Sequence, residues 1–193
     1  KITDEMARLV IERFGKAESE LMERRFWNAS TAATQTTVAA LTAGTAQNEV
    51  GAAEKAYVAA SPTDYINGVV TKLILTYSAT NKRFKVVGTT ITSSNIEAEY
   101  GKVYAALIPK LLQPNYASTV KIFVPYNHLQ LIQIANNSAT FRDLFTVAGE
   151  DYFYCGVKIE FVPLANNVMV AGVSQDLAWI CDITDPSAKL EIN

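Results

Sequence analysis

The sequence is poor in the residues that build active sites. Among 193 residues there is one histidine, His128, and there are two cysteines, Cys155 and Cys181. A single histidine excludes any centre that needs two. The cysteines have no C-x-x-C spacing, which removes the usual zinc and dithiol redox patterns. Two cysteines in a chain this long form no disulfide framework. They are read as buried thiols of a reducing compartment. Both fall in neighbouring predicted strands, which leaves a Cys155–Cys181 disulfide open. No apolar run reaches the length of a membrane span. The start, "KITDEMARLV", has its apolar residues interrupted by charge and does not read as a signal peptide. It opens without Met, as expected of a processed or trimmed chain.

Other absences narrow the chemistry further. Lys and Arg number 17 against 19 Asp and Glu, a net charge of −2, so the basic footprint of a nucleic-acid reader is missing. The densest basic cluster, Lys82, Arg83 and Lys85, reads as a solvated strand face or a subunit contact. "VVGTTITSS" has one glycine and no following Gly-Lys-Ser/Thr, so it is a poor phosphate loop. Glu18, Glu20 and Glu23 lack the Glu-x-x-His partners of a dinuclear bundle site. They read as the solvated face of a helix, with Glu20 and Arg24 in the favourable i,i+4 order. Asp182 and Asp185 fit no calcium-loop pattern. His128 has no nucleophile-elbow serine to serve, and reads as a partly exposed or hydrogen-bonded helix histidine. No catalytic residue, cofactor site or metal site is expected.

What is present is a globular composition, 49% hydrophobic and 19% charged. The length suits one domain, or one domain carrying an inserted lobe. Residues 3–27 read as one long amphipathic helix, N-capped by Thr3, with Asp4 and Glu5 in its first turn and Arg24 and Arg25 in its last. Met6, Val10, Phe14, Ala17 and Leu21 share one face of it. Residues 29–46, rich in Ala and Thr, read as a loop that is mobile or held by a neighbouring copy. Helix is expected at 47–60 and, less sharply, at 63–78, with a strand at 82–87. Ser94 and Glu97 form a capping-box pattern ahead of a stripe of Ile96, Tyr100, Val103, Leu107 and Leu111, and Pro109 should kink or end that helix. A buried strand is expected at 118–124, a short helix at 126–135 and a helical turn or two at 139–145. Antiparallel strands are expected at 157–162, 168–172 and 178–183. This order indicates an α+β protein.

The succession of segments carries a resemblance. A long helix ending in "ESELMERRFWNAS" leads to "VVGTTITSSNIEAEYGKVYAALIPKLL", then to "TVKIFVPYNHLQLIQIANNSATFRDLF", then to "YFYCGVKIEFVPLANNVMVAGVSQDLAWICDI". It resembles the major capsid proteins of tailed bacteriophages and prophages, whose fold is shared with encapsulin shells. In the last segment Gly156 starts a strand, Pro163 and Asn166-Asn167 make the turn, and Leu177 and Trp179 begin the final strand. The match spans most of the chain, on motifs of small, apolar and turn residues.

The resemblance implies a long spine helix, a peripheral domain with its own sheet, and an axial domain of mixed sheet with flanking helices. Residues 1–46 and 152–193 would form the peripheral domain and 47–151 the axial one, with part of the last strands in the axial sheet. It implies pentamers and hexamers that close into an icosahedral shell around double-stranded DNA, confined without base-specific contacts. Portal and scaffold proteins would be further partners. No membrane and no small-molecule substrate would be involved. The location would be the virion, after synthesis in the bacterial cytoplasm. Arg24, Arg25, Lys82, Arg83 and Lys85 would carry inter-subunit or inner-surface charge. Family members have an N-terminal arm and an extended hairpin loop ahead of the spine helix, and no counterpart precedes Lys1. Two other readings stand beside it: an encapsulin-like nanocompartment shell, and a small hydrolase or metal enzyme using His128.

Overall fold

The computed structural model describes residues 4–46, 49–76, 85–107, 119–137 and 145–174. The architecture is α+β. Helix α1 (Asp4–Asn28) is followed by α2 (Ala32–Ala40), α3 (Ala52–Ala60), α4 (Val69–Leu75) and α5 (Ile96–Ala106). Strand β1 (Val120–Pro125), helix α6 (Asn127–Asn136) and strands β2 (Phe145–Ala148), β3 (Asp151–Tyr154), β4 (Val157–Val162) and β5 (Val170–Val173) complete it. The strands form one mixed sheet in the order β2-β3-β4-β1-β5. β4 is the central strand, and β1 lies beside it, parallel to β4 and antiparallel to the edge strand β5.

Strand alternation divides the interior into two cores. Val120, Ile122 and Val124 of β1, with Val157 and Ile159 of β4, face one side. There they meet Ile96, Tyr100, Val103 and Leu107 of the α5 region and Ile132 of α6. Phe123 of β1 and Val162 of β4 face the other side. There they meet Trp27 at the end of α1, Val38 of α2, Val58 of α3, and Val70 and Ile74 of α4. Successive strand residues point to opposite faces, so a single strand contributes to both cores.

Several expectations are corrected. Residues 29–46 are not a loop throughout. Ala32–Ala40 is a helix, capped where Thr31 Oγ1 accepts the Thr34 amide at 3.1 Å, and Val38 is buried. The 47–60 helix begins only at Ala52, and the 63–78 helix is confined to Val69–Leu75. Residues 85–87 belong to no strand, and 82–84 lie outside the described residues. The capping box at Ser94 is not formed. Asn95 precedes the helix, and its Oδ1 accepts from the Thr92 amide at 2.7 Å. Phe145, read as helical, begins β2, and β2 and β3 were not expected at all. Strands β4 and β5 run antiparallel as expected, but they are not neighbours: β1 lies between them, parallel to β4 and antiparallel to β5. The Thr3 cap, Leu111, Pro109 and the strand at 178–183 lie outside the described residues.

The turn after β4 stands as read. Asn167 adopts a positive φ of 65°, a conformation Asn tolerates better than most residues. Its side-chain oxygen accepts from the Ile91 amide at 2.9 Å.

Candidate functional site

His128 is the one side chain suited to proton transfer near neutral pH by its ordinary pKa. It lies on α6 and is completely buried rather than partly exposed. Its Nδ1 stands 3.0 Å from the Tyr100 hydroxyl, and its Nε2 has no hydrogen-bond partner among the described residues. Burial pushes its pKa down to about 4. Tyr100 is itself pushed up by burial, and packs edge-on against Phe145. No carboxylate makes a hydrogen bond or ion pair with the ring among the described residues. Nor do those residues bring together three His, Cys, Asp or Glu side chains able to hold a metal. Among the described residues, no acid reaches the ring, let alone the two that a His128 enzyme requires.

The basic residues are dispersed. Arg25 Nε lies 3.1 Å from Asp64, which ties the last turn of α1 to the segment before α4. Lys85 is buried, with Nζ 2.9 Å from the Glu49 carbonyl and 3.8 Å from Glu54. This corrects the reading of Lys85 as a surface charge. Lys82 and Arg83 lie outside the described residues, and Arg24 is exposed. Cys155, expected to be buried, is exposed in the tight turn between β3 and β4, and Cys181 lies outside the described residues.

What the surface does offer is α1. With 25 residues at 1.5 Å each, it is about 37 Å long. Among its described residues only the end is buried or partly buried, at Phe26, Trp27 and Asn28. The apolar stripe read from the sequence faces solvent: Met6 is 60% exposed, Val10 56%, Phe14 71% and Leu21 41%. An isolated helix is marginal in water, because tertiary burial normally supplies its stability. Contiguous exposed apolar surface of this kind marks a contact site.

The anchoring end of α1 is held by polar contacts that sequence reasoning missed. Asn28 Nδ2 donates to the Arg24 carbonyl at 3.0 Å and the Pro163 carbonyl at 2.6 Å. Its Oδ1 accepts from the Tyr57 hydroxyl at 2.8 Å and the Ala165 amide at 3.2 Å. The only sequence signal was an Asn at the end of a helix. Ala29 follows: its carbonyl accepts from the Gly68 amide at 2.7 Å and from the buried Thr71 hydroxyl at 2.9 Å. The long helix is thereby fixed to α3, α4 and the turn after β4 at once.

No helix among the described residues is long and apolar enough to cross a membrane. No family model, curated protein or solved structure matches the chain.

Proposed function

We propose that this chain is a structural subunit of an icosahedral capsid of a tailed bacteriophage or prophage. One observation carries the reading: among the described residues α1 is buried only at its end, and it presents an apolar stripe of Met6, Val10, Phe14 and Leu21 to solvent. A subunit that completes its burial only by assembling has such a surface. A capsid subunit also needs a rigid connection between that helix and its body, and the Asn28 contacts supply one. In this reading residues 1–46 and 152–193 make the peripheral part and 47–151 the axial part. Pentamers and hexamers close around double-stranded DNA. The role is assembly, with His128 serving the core.

Negative-stain microscopy of the full-length gene product tests this. Closed shells, or rings of five and six subunits, are the expected result. A dispersed monomer at high concentration would overturn it. Shells filled with a protein cargo instead of DNA would move the assignment to a nanocompartment.

A further inference from the structure

We propose that α1 pairs with α1 of a second copy of this chain, in an antiparallel two-helix coiled coil. Val10, Phe14, Ala17 and Leu21 follow one another at spacings of four, three and four, the rhythm of a coiled-coil seam. All four are exposed. The seam is unlike a uniform leucine stripe because it alternates large and small. In an antiparallel pair centred between Phe14 and Ala17, each Phe14 faces Ala17 of the second copy, and each Val10 faces Leu21. Large against small fills the layer. A parallel pair would set Phe14 on Phe14 and Ala17 on Ala17, giving one crowded layer and one gap.

Charge agrees with the same register. Arg13 and Glu20, one heptad apart, border one side of the seam, and both are exposed. Antiparallel pairing places residues of the same flank opposite each other. Arg13 then meets Glu20 of the second copy, and Glu20 meets its Arg13, so the two-fold relation makes the pair twice. Attachment agrees too. Phe26, Trp27 and Asn28 are embedded in the body. A parallel pair would force both bodies to one end, whereas an antiparallel pair puts them at opposite ends. A contact of this kind is isologous, the commonest form of self-association.

The inference does not depend on the capsid reading. Sedimentation of the chain at micromolar concentrations should show a dimer that dissociates on dilution. Phe14→Glu should abolish it while leaving the near-ultraviolet circular dichroism of the body unchanged, since Phe14 is exposed and belongs to neither core among the described residues. Arg13→Glu and Glu20→Arg should each weaken the dimer about tenfold, because two exposed attractive pairs become repulsive. The double variant R13E/E20R should restore it. A wild-type monomer at high concentration with α1 helical would overturn the proposal. So would indifference to R13E, or rescue of R13E by Glu18→Arg instead of E20R, the outcome of a parallel pair. Dimers without shells would remove the capsid reading alone. Shells whose assembly ignores Phe14→Glu would remove this inference alone.

Discussion

The Tyr100 hydroxyl lies 3.0 Å from Nδ1 of His128, and both side chains are wholly buried in the core between the sheet and α5. The pair gives the fold a built-in sensitivity to acid. Burial holds His128 down to about 4 in the folded chain. Unfolded, it takes up its proton near 6.5. Between those values the unfolded chain binds the extra proton, so stability is complete above about pH 7 and falls as pH drops toward 4. The shift corresponds to a loss of as much as ~3 kcal/mol from this one group. Urea unfolding at about pH 7.5 and about pH 4.5 should show a large drop for the wild type. His128→Gln should show a smaller drop, whatever its stability at neutral pH. Parallel pH curves for the two proteins would contradict this account.

The Asn28 side chain carries four hydrogen bonds. Asn28→Ala leaves two carbonyls, an amide and a phenol without their partner, at a cost of about 3 kcal/mol. Tyr57→Phe removes one bond and should cost about 1 kcal/mol. Because both act on one contact, the double variant should lose less than the sum, by roughly 1 kcal/mol. Strict additivity in urea midpoints would show that the Tyr57 contact contributes nothing.

Some of this was legible in the sequence because it was local. Ile96, Tyr100, Val103 and Leu107 were read as one stripe, and all four are buried. The apolar runs of β1 and β4 were placed within two residues. The stripe on α1 was read correctly as one face, but periodicity cannot say what covers it. Here its residues Met6, Val10, Phe14 and Leu21 stand exposed, and no described residue buries them. Strands β2 and β3 have four residues each, too short for an alternation to register. The parallel pairing of β1 with β4, the Tyr100–His128 contact and the reach of Asn28 to Pro163 are long-range, and tertiary packing alone fixes them. The exposed position of Cys155 follows from the turn it occupies, whereas its composition class favours burial.

Helix α2 shows how a short charge-free helix hides. Residues 32–40, "AATQTTVAA", combine good helix-forming alanines with threonines that disfavour the state. The Thr31 cap and the burial of Val38 decide the matter. The amides of 36–40 should therefore exchange more slowly than those of 42, 43 and 45, by about tenfold or more if local opening costs at least ~1.4 kcal/mol. Equal, rapid exchange across both segments would return this region to a loop.

Gly68 and Gly15 should respond oppositely to alanine. A Cβ on Gly68 would stand 2.8 Å from the Ala29 amide nitrogen and the Phe26 carbonyl oxygen, and 2.9 Å from the Arg25 carbonyl oxygen. Those are backbone atoms at the root of α1 and cannot swing aside. Gly68→Ala should cost about 3 kcal/mol, lowering Tm by roughly 10 °C. Gly15 lies within α1 with nothing inside 4 Å of its added Cβ. Gly15→Ala should raise the helix content and stabilise α1 by up to ~1 kcal/mol. A tolerated Gly68→Ala would mean that α1 is not held at its root as described.

Cys155 and Gly156 are the two residues between β3 and β4, with φ of 47° and 80°. Positive φ at both positions is the signature of the tight hairpin turn that matches strand twist, where Asn-Gly is the preferred pair. Cysteine has no such preference, so it sits there at a small conformational cost. Cys155→Asn should raise stability by about 0.5 kcal/mol, because Asn tolerates the left-handed region. The thiol is exposed, so in the folded protein a thiol reagent should modify it in a fast phase that Cys155→Ser lacks. A wild type that reacts only on unfolding would place Cys155 in the interior, and would contradict the hairpin.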